Sequence, residues 1–155
     1  MTDPTPSVTT PDLVLLDVDA GSDKEAVIGR LATVLADSGR STDRDGLTAA
    51  AMAREGQSAT GLPGGIAIPH CRSLVVDHLR LAYGQHRTGV EFQAIDAKPV
   101  HHFFLIVAPP LEISNQYLPV LGRIAQFCKD VEVPDRLSQL RNADEFFNLL
   151  EAKGV

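Results

Sequence analysis

The sequence predicts an α/β fold in which a mixed central β-sheet is flanked by helices. Short apolar runs typical of strands recur through the first two thirds of the chain, and segments with apolar residues at helical spacing lie between and after them. The helical segments are too long and too widely separated for an all-β sandwich. With 155 residues, the chain has the length of one domain.

The N-terminal residues 1–12 contain three prolines, four threonines and no apolar run. This composition predicts a disordered leader, followed by a single domain over residues 13–155. The leader lacks the basic and apolar regions of a signal peptide. Residues 13–16, Leu-Val-Leu-Leu, predict a short buried strand.

Two helices are predicted next. Ser22 and Glu25 have the spacing of a capping box, and the apolar residues after them predict a helix that ends at Gly39. Asp43 or Asp45 opens a second helix, over residues 47–55, whose alanine-rich middle has high helix propensity.

The middle of the chain alternates turns and strands. Residues 61–65 are rich in glycine and predict a loop, and residues 66–68 predict a short strand ending at Pro69. Residues 79–86 predict a further strand. The most continuous apolar run, residues 100–107, predicts a central strand buried on both faces.

The C-terminal third predicts three helices. Ser114 is a candidate cap for a helix that carries an apolar stripe from Leu118 to Cys128, Pro134 fits the first turn of a short helix, and Asp144 precedes the last one.

Composition excludes several classes of function. The net charge of −6, without a clustered basic face, argues against nucleic-acid binding. No apolar run reaches about 18 residues, so direct membrane insertion is not expected. Cys71 and Cys128 form neither a disulfide framework nor a C-x-x-C motif, which favours a reduced, cytoplasmic compartment.

The densest group of reactive residue types surrounds His70. Arg54 and Arg72 flank it in sequence with guanidinium groups that fit phosphate oxygens, and Ser58 and Thr60 add hydroxyl donors. A neutral imidazole nitrogen is a nucleophile, and neighbouring donors stabilise charge on phosphoryl oxygens. The pattern therefore suits a histidine that receives a phosphoryl group.

The segment 61–73, Gly-Leu-Pro-Gly-Gly-Ile-Ala-Ile-Pro-His-Cys-Arg-Ser, resembles a phosphorylation-site motif. The motif is that of the enzyme IIA domains of the phosphoenolpyruvate-dependent sugar phosphotransferase system. The match is to the fructose/mannitol type, which includes the nitrogen-regulatory branch, and is closest to the fructose-specific form. Weaker similarities to the family occur at residues 16–26, 53–55, 103–109 and 118–125, and these segments have the same order along the chain as in the family. The resemblance implies the phosphotransferase/anion-transport-protein-type fold.

The same resemblance implies roles for individual residues. His70 corresponds to the phosphorylated histidine, whose Nε2 takes phosphate from the histidine-containing phosphocarrier protein and passes it to an enzyme IIB, here on a separate chain. Arg54 corresponds to the arginine that supports the phosphate, and Thr60 and Gly61 to the loop beside it. Such a domain needs no cofactor and no metal.

One position departs from the family pattern. A second histidine usually begins the helix after the central strand, and here Tyr117 stands there, or Gln116 if the alignment shifts by one residue. Tyrosine is neutral at pH 7, and charge-assisted hydrogen bonds are about twice as strong as neutral ones. Two functions therefore stay open: a phosphoryl carrier, or a regulatory module whose phosphorylation controls partner binding without onward transfer.

The other candidate residues favour structural roles. His101 and His102 are adjacent in a predicted strand, so their rings should face opposite sides. His78 and His86 are expected at the surface near strand ends, and Cys71 is expected to pack in the core.

Overall fold

The computed structural model describes residues 9–18, 21, 23–57, 59–92, 94, 96–111 and 115–155. These residues form a short 3-10 helix, Pro11–Leu13, together with α-helices and strands. The helices are α1 Lys24–Asp37, α2 Arg44–Gln57, α3 Tyr117–Cys128, α4 Val133–Ser138 and α5 Ala143–Ala152. The strands are β1 Val14–Leu15, β2 Gly61–Leu62, β3 Ile66–Ala67, β4 His70–Arg72, β5 Arg80–Val90 and β6 Val100–Ala108.

The strands form one mixed sheet in the order β1-β5-β6-β3-β2, and β4 also pairs with β6. Strands β5 and β6 are antiparallel, whereas β3 and β4 both run parallel to β6. Ala67 pairs with Phe103 and His70 with Ile106, so β3 and β4 keep one register. The two strands are thus one extended segment, interrupted at Pro69, which has no N–H to donate.

Each face of the sheet carries an apolar core. Helices α1 and α2 contribute to the core on one face, and α3, α4 and α5 to the core on the other. Along β6, Phe103, Leu105 and Val107 belong to the first core, and Phe104, Ile106 and Ala108 to the second. This alternation buries the strand on both faces, which accounts for its continuous apolar run. The predicted fold class is confirmed.

The predicted capping box of α1 is wrong. The helix begins at Lys24, and its cap is Asp23, whose Oδ1 accepts the N–H of Ala26 at 2.8 Å. Ser22 lies outside the described residues. Glu25 lies in the first turn, where its charge is favourable to the helix dipole.

Helix α2 is longer than predicted at both ends. Asp43, one of the two expected openings, accepts the N–H of Gly46 at 3.0 Å just before the helix begins. At the other end, Gly56 lies within the helix rather than after it.

The C-terminal helices also begin at shifted positions. The predicted cap Ser114 lies outside the described residues, and α3 begins at Tyr117. Helix α5 is capped by Asn142, which accepts the N–H of Glu145 at 2.9 Å, and not opened at Asp144. In the described ranges, no helix combines the length and the apolar character needed to cross a bilayer.

Ordered structure begins before the predicted boundary at Leu13. Residues 1–8 of the expected leader lie outside the described residues. Thr9 is buried, Asp12 forms an ion pair with Arg40, and Leu13 lies in the core. These contacts attach residues 9–12 to the domain.

Candidate functional site

His70 begins β4 and is half-buried. Its Nδ1 lies 2.7 Å from the carbonyl oxygen of Ile68. Because a carbonyl only accepts hydrogen bonds, this contact assigns the imidazole proton to Nδ1 and leaves the lone pair on Nε2. The backbone two residues upstream therefore selects the tautomer in which Nε2 carries the lone pair.

Arg54 lies beside that atom. It occupies the last turn of α2, and its Nη2 is 3.2 Å from His70 Nε2. With Nδ1 protonated, the guanidinium donates to the Nε2 lone pair. A group bound to Nε2 would meet the same guanidinium, whose planar arrangement of donors fits phosphoryl oxygens. The structure thus brings together two candidate residues that are sixteen positions apart in the sequence.

Thr60 is held by Glu55, a residue that the sequence reasoning did not select. Glu55 is 4% exposed and accepts the Thr60 hydroxyl at 2.6 Å and the Thr60 N–H at 2.8 Å. Lys24 Nζ is 3.2 Å from the same carboxylate. The Thr60 carbonyl in turn accepts the N–H of Ile68 at 3.2 Å. The Thr60 hydroxyl donates to Glu55, and the Thr60 backbone pairs with Ile68, the residue whose carbonyl oxygen contacts His70 Nδ1.

Gly61 is required by close packing. A Cβ at this position would lie 2.9 Å from both the Cα and the Cβ of Ala94, closer than backbone atoms allow. Gly61 pairs with Ala67 across β2 and β3. The segment predicted as a loop therefore begins as a strand, followed by a turn in which Gly64 and Gly65 have φ of 93° and 80°.

Tyr117 lies at the start of α3 and is 7% exposed. The Cζ atom of Arg72 lies 4.5 Å from the centroid of its ring. Burial raises the pKa of the Tyr117 phenol, and the positive charges of Arg72 and Arg54 oppose that rise. Tyr117 therefore joins α3 to the guanidinium group of Arg72 on β4.

Cys71 is adjacent to the site in sequence but belongs to the core on the face of α1 and α2. Burial raises the pKa of its thiol to about 11, so the thiol is protonated at neutral pH. A buried, protonated thiol is a poor nucleophile, which agrees with the expected packing role.

His102 is a buried structural residue. Its Nδ1 lies 2.8 Å from the hydroxyl of Tyr83, and its Nε2 lies 3.3 Å from the hydroxyl of Ser138. Burial lowers the pKa of His102 to about 4. No group of three or more potential metal-binding side chains occurs in the part of the chain that the structure describes.

The surface prediction for His86 is wrong, whereas His78 is 74% exposed as expected. His86 is 5% exposed, and its Nδ1 accepts the N–H of Gly89 at 3.1 Å. The pairing of β5 with β6 shifts register between Gln85 and Val90, and His86 caps the backbone inside that irregularity. Strand β5 therefore continues past the predicted end.

Comparison with known proteins identifies the family. The family model described as "Phosphoenolpyruvate-dependent sugar phosphotransferase system, EIIA 2" matches residues 7–153. The chain belongs to this family. The fructose-specific EIIA component of Haloferax volcanii is 30% identical over 131 residues, which cover 84% of each chain. The fructose-specific EIIABC component of Bacillus subtilis is 30% identical over 91% of this chain, which spans only 22% of that longer relative.

Solved structures of family members share the fold. The nitrogen regulatory protein IIA-Ntr of Neisseria meningitidis superposes with a TM-score of 0.84 at 27% identity, covering 93% of this chain and 97% of that one. The mannitol IIA of Escherichia coli, solved in complex with its phosphorylated enzyme IIB, superposes with a TM-score of 0.74 at 21% identity over 92% and 96% of the two chains. The latter similarity concerns the fold alone.

Proposed function

We propose that this EIIA domain is a phosphoryl carrier in which Nε2 of His70 accepts and releases the phosphoryl group. The observation that carries the proposal is the pair of contacts on the imidazole. Ile68 holds the proton on Nδ1, and Arg54 lies beside the lone pair of Nε2. One ring nitrogen is thereby ready to attack, and a cation is in place for the charge that arrives.

The transfer step balances without metal or external base. The Nε2 lone pair forms the new N–P bond while the N–P bond of a phosphohistidine donor breaks, and the donor nitrogen keeps the electron pair. The His70 ring becomes positively charged, and the donor ring becomes neutral. The Nδ1 proton stays on His70, where the Ile68 carbonyl stabilises the charged ring.

The donor and acceptor that we propose are the histidine-containing phosphocarrier protein and an enzyme IIB, which would place the domain in the cytoplasm. The mannitol IIA that shares this fold was solved bound to its phosphorylated IIB. Three exposed leucines lie close in sequence to the site: Leu74 at 87%, Leu111 at 88% and Leu118 at 68% exposure. Apolar side chains within a polar surface suit transient docking of a protein partner.

A second candidate function is a regulatory module that is phosphorylated on His70 without passing the group on. The neutral Tyr117 at the position of the family's second histidine favours it. The similarity to the nitrogen regulatory protein of Neisseria meningitidis supports it as well.

A phosphotransfer assay separates these possibilities. The protein is incubated with radiolabelled phosphoenolpyruvate and the two general phosphotransfer proteins, beside His70→Ala and, as the matched control, His78→Ala, whose imidazole is 74% exposed. We expect stoichiometric labelling of wild type and of the control and none of His70→Ala. Label in His70→Ala would refute the assignment. Loss of label to a fructose-type IIB within seconds supports the carrier, whereas retention with phosphorylation-dependent partner binding supports the regulatory module.

A further inference from the structure

Arg72 lies on the same side of β4 as His70. The two residues are separated by one position in the strand, so their side chains project from the same face. Cys71, between them, is buried in the core on the opposite face. The β6 partner of Arg72 is Ala108, which belongs to the same core as Tyr117. Strand geometry therefore places His70, Arg72 and Tyr117 on one side of the sheet.

Two contacts fix the Arg72 guanidinium. Its Cζ lies 4.5 Å from the centroid of the Tyr117 ring, and its Nη1 donates to the carbonyl oxygen of Pro109 at 3.3 Å. A guanidinium stacked on an aromatic ring loses little freedom when it binds an anion. The group has five N–H donors, and the described hydrogen bond to Pro109 uses one of them.

A phosphoryl group on His70 would carry more negative charge than Arg54 alone balances. A phosphoryl group carries up to about two negative charges near pH 7. Arg54 supplies one positive charge beside Nε2 of His70. Tyr117 supplies none, although the family usually has a second histidine at its position.

We propose that Arg72, stacked on Tyr117, is the second cationic ligand of a phosphoryl group on His70, and that Tyr117 is its positioning residue. This inference rests on the proposed phosphorylation of His70. Arg54 reaches Nε2 of His70 from α2, and Arg72 projects from the same face of β4 as His70. Arg72 on β4 would thus supply the positive charge that the family's second histidine, at the start of α3, would otherwise carry.

The test measures the pKa of the phosphoryl group itself by 31P NMR titration of the phosphorylated protein. A nearby cation favours the dianion, so removing the cation raises this pKa. We expect Arg72→Gln to raise it by about one unit and Arg72→Lys to raise it less. Arg44→Gln is the matched control, because Arg44 is exposed at the opposite end of α2 and pairs with Asp45.

The variants of Tyr117 separate stacking from the hydroxyl group. Tyr117→Phe keeps the ring and should match wild type, and Tyr117→Leu removes the ring and should raise the phosphoryl pKa as Arg72→Gln does. The double variant Arg72→Gln/Tyr117→Leu should show no additional shift, because both changes remove one interaction. Arg72→Gln indistinguishable from Arg44→Gln, or full additivity in the double variant, would overturn the proposal.

The phosphoryl group is introduced in two ways, so that this proposal and the carrier function fail separately. One route uses phosphoenolpyruvate with the general phosphotransfer proteins. The other uses phosphoramidate, from which the N–P bond to ammonia breaks as the bond to His70 forms. Modification by phosphoramidate alone would refute the carrier function, while the titration would still decide the role of Arg72. If neither reagent phosphorylates His70, both proposals are refuted.

Discussion

Replacing Glu55 tests whether the loop before His70 is held by a buried carboxylate. Glu55→Ala leaves the Thr60 N–H, the Thr60 hydroxyl and the Lys24 ammonium without their acceptor. Removing one partner of a buried ion pair costs about 3–5 kcal/mol. Glu55→Gln keeps one oxygen as an acceptor but loses the charge, and we expect a cost of about 1.5–3 kcal/mol.

Urea unfolding and thermal unfolding, both followed by circular dichroism, measure the two costs, with Glu151→Ala as the control on the exposed side of α5. For a chain of this length, 1 kcal/mol corresponds to about 2–4 °C in Tm. Glu55→Ala should therefore lower Tm by about 6–20 °C. The control should stay within about 0.5 kcal/mol of wild type. A Glu55→Ala protein within about 1 kcal/mol of wild type would refute the role assigned to this carboxylate.

Three further predictions concern stability and reactivity. Burial lowers the folded pKa of His102 to about 4, so the unfolded chain binds more protons below about pH 6.5, and the free energy of unfolding should lose about 3 kcal/mol between pH 6.5 and 4. That loss should disappear in His102→Gln and persist in His78→Gln, measured by urea unfolding at each pH. Gly61→Ala should cost about 1–3 kcal/mol through its backbone clash, whereas Gly122→Ala, with no atom near the new Cβ, should stabilise α3 by up to about 1 kcal/mol in thermal unfolding. Because burial raises the pKa of Cys71 to about 11, iodoacetamide at pH 8 should leave this thiol unmodified over the time that labels a free peptide cysteine, and rapid alkylation seen by mass spectrometry would contradict this.

The elements that were predicted correctly are those whose local residue pattern is sufficient to define a helix or a strand. Strand β6 combines a continuous apolar run with a proline immediately after it, and it forms over Val100–Ala108 as expected. Strands β2 and β4 have only two or three residues each, and they exist because β3 and β6 provide pairing partners. No local pattern of that length separates a strand from a loop, so tertiary pairing decided both.

In the site, too, some features follow from the sequence and others depend on tertiary contacts. The family resemblance implied that Arg54 and His70 share a site, and the structure brings Arg54 Nη2 to 3.2 Å from His70 Nε2. Glu55 was missed, although a signal exists: it follows Leu47 and Ala51 at intervals of four residues on the buried stripe of α2. A charged residue on such a stripe indicates a buried partner. The stacking of Arg72 on Tyr117 joins β4 to α3, and no sequence spacing predicts a contact between those elements.

Locating the phosphoryl group at atomic level is the decisive test of the proposed role of His70. The protein is labelled with 15N-histidine, phosphorylated by phosphoenolpyruvate and the general phosphotransfer proteins, and studied by 31P–15N NMR. We expect coupling of phosphorus to Nε2 of His70, with the proton still on Nδ1 beside the Ile68 carbonyl. Coupling to Nδ1, phosphate on any other residue, or no phosphorylation at all would contradict it.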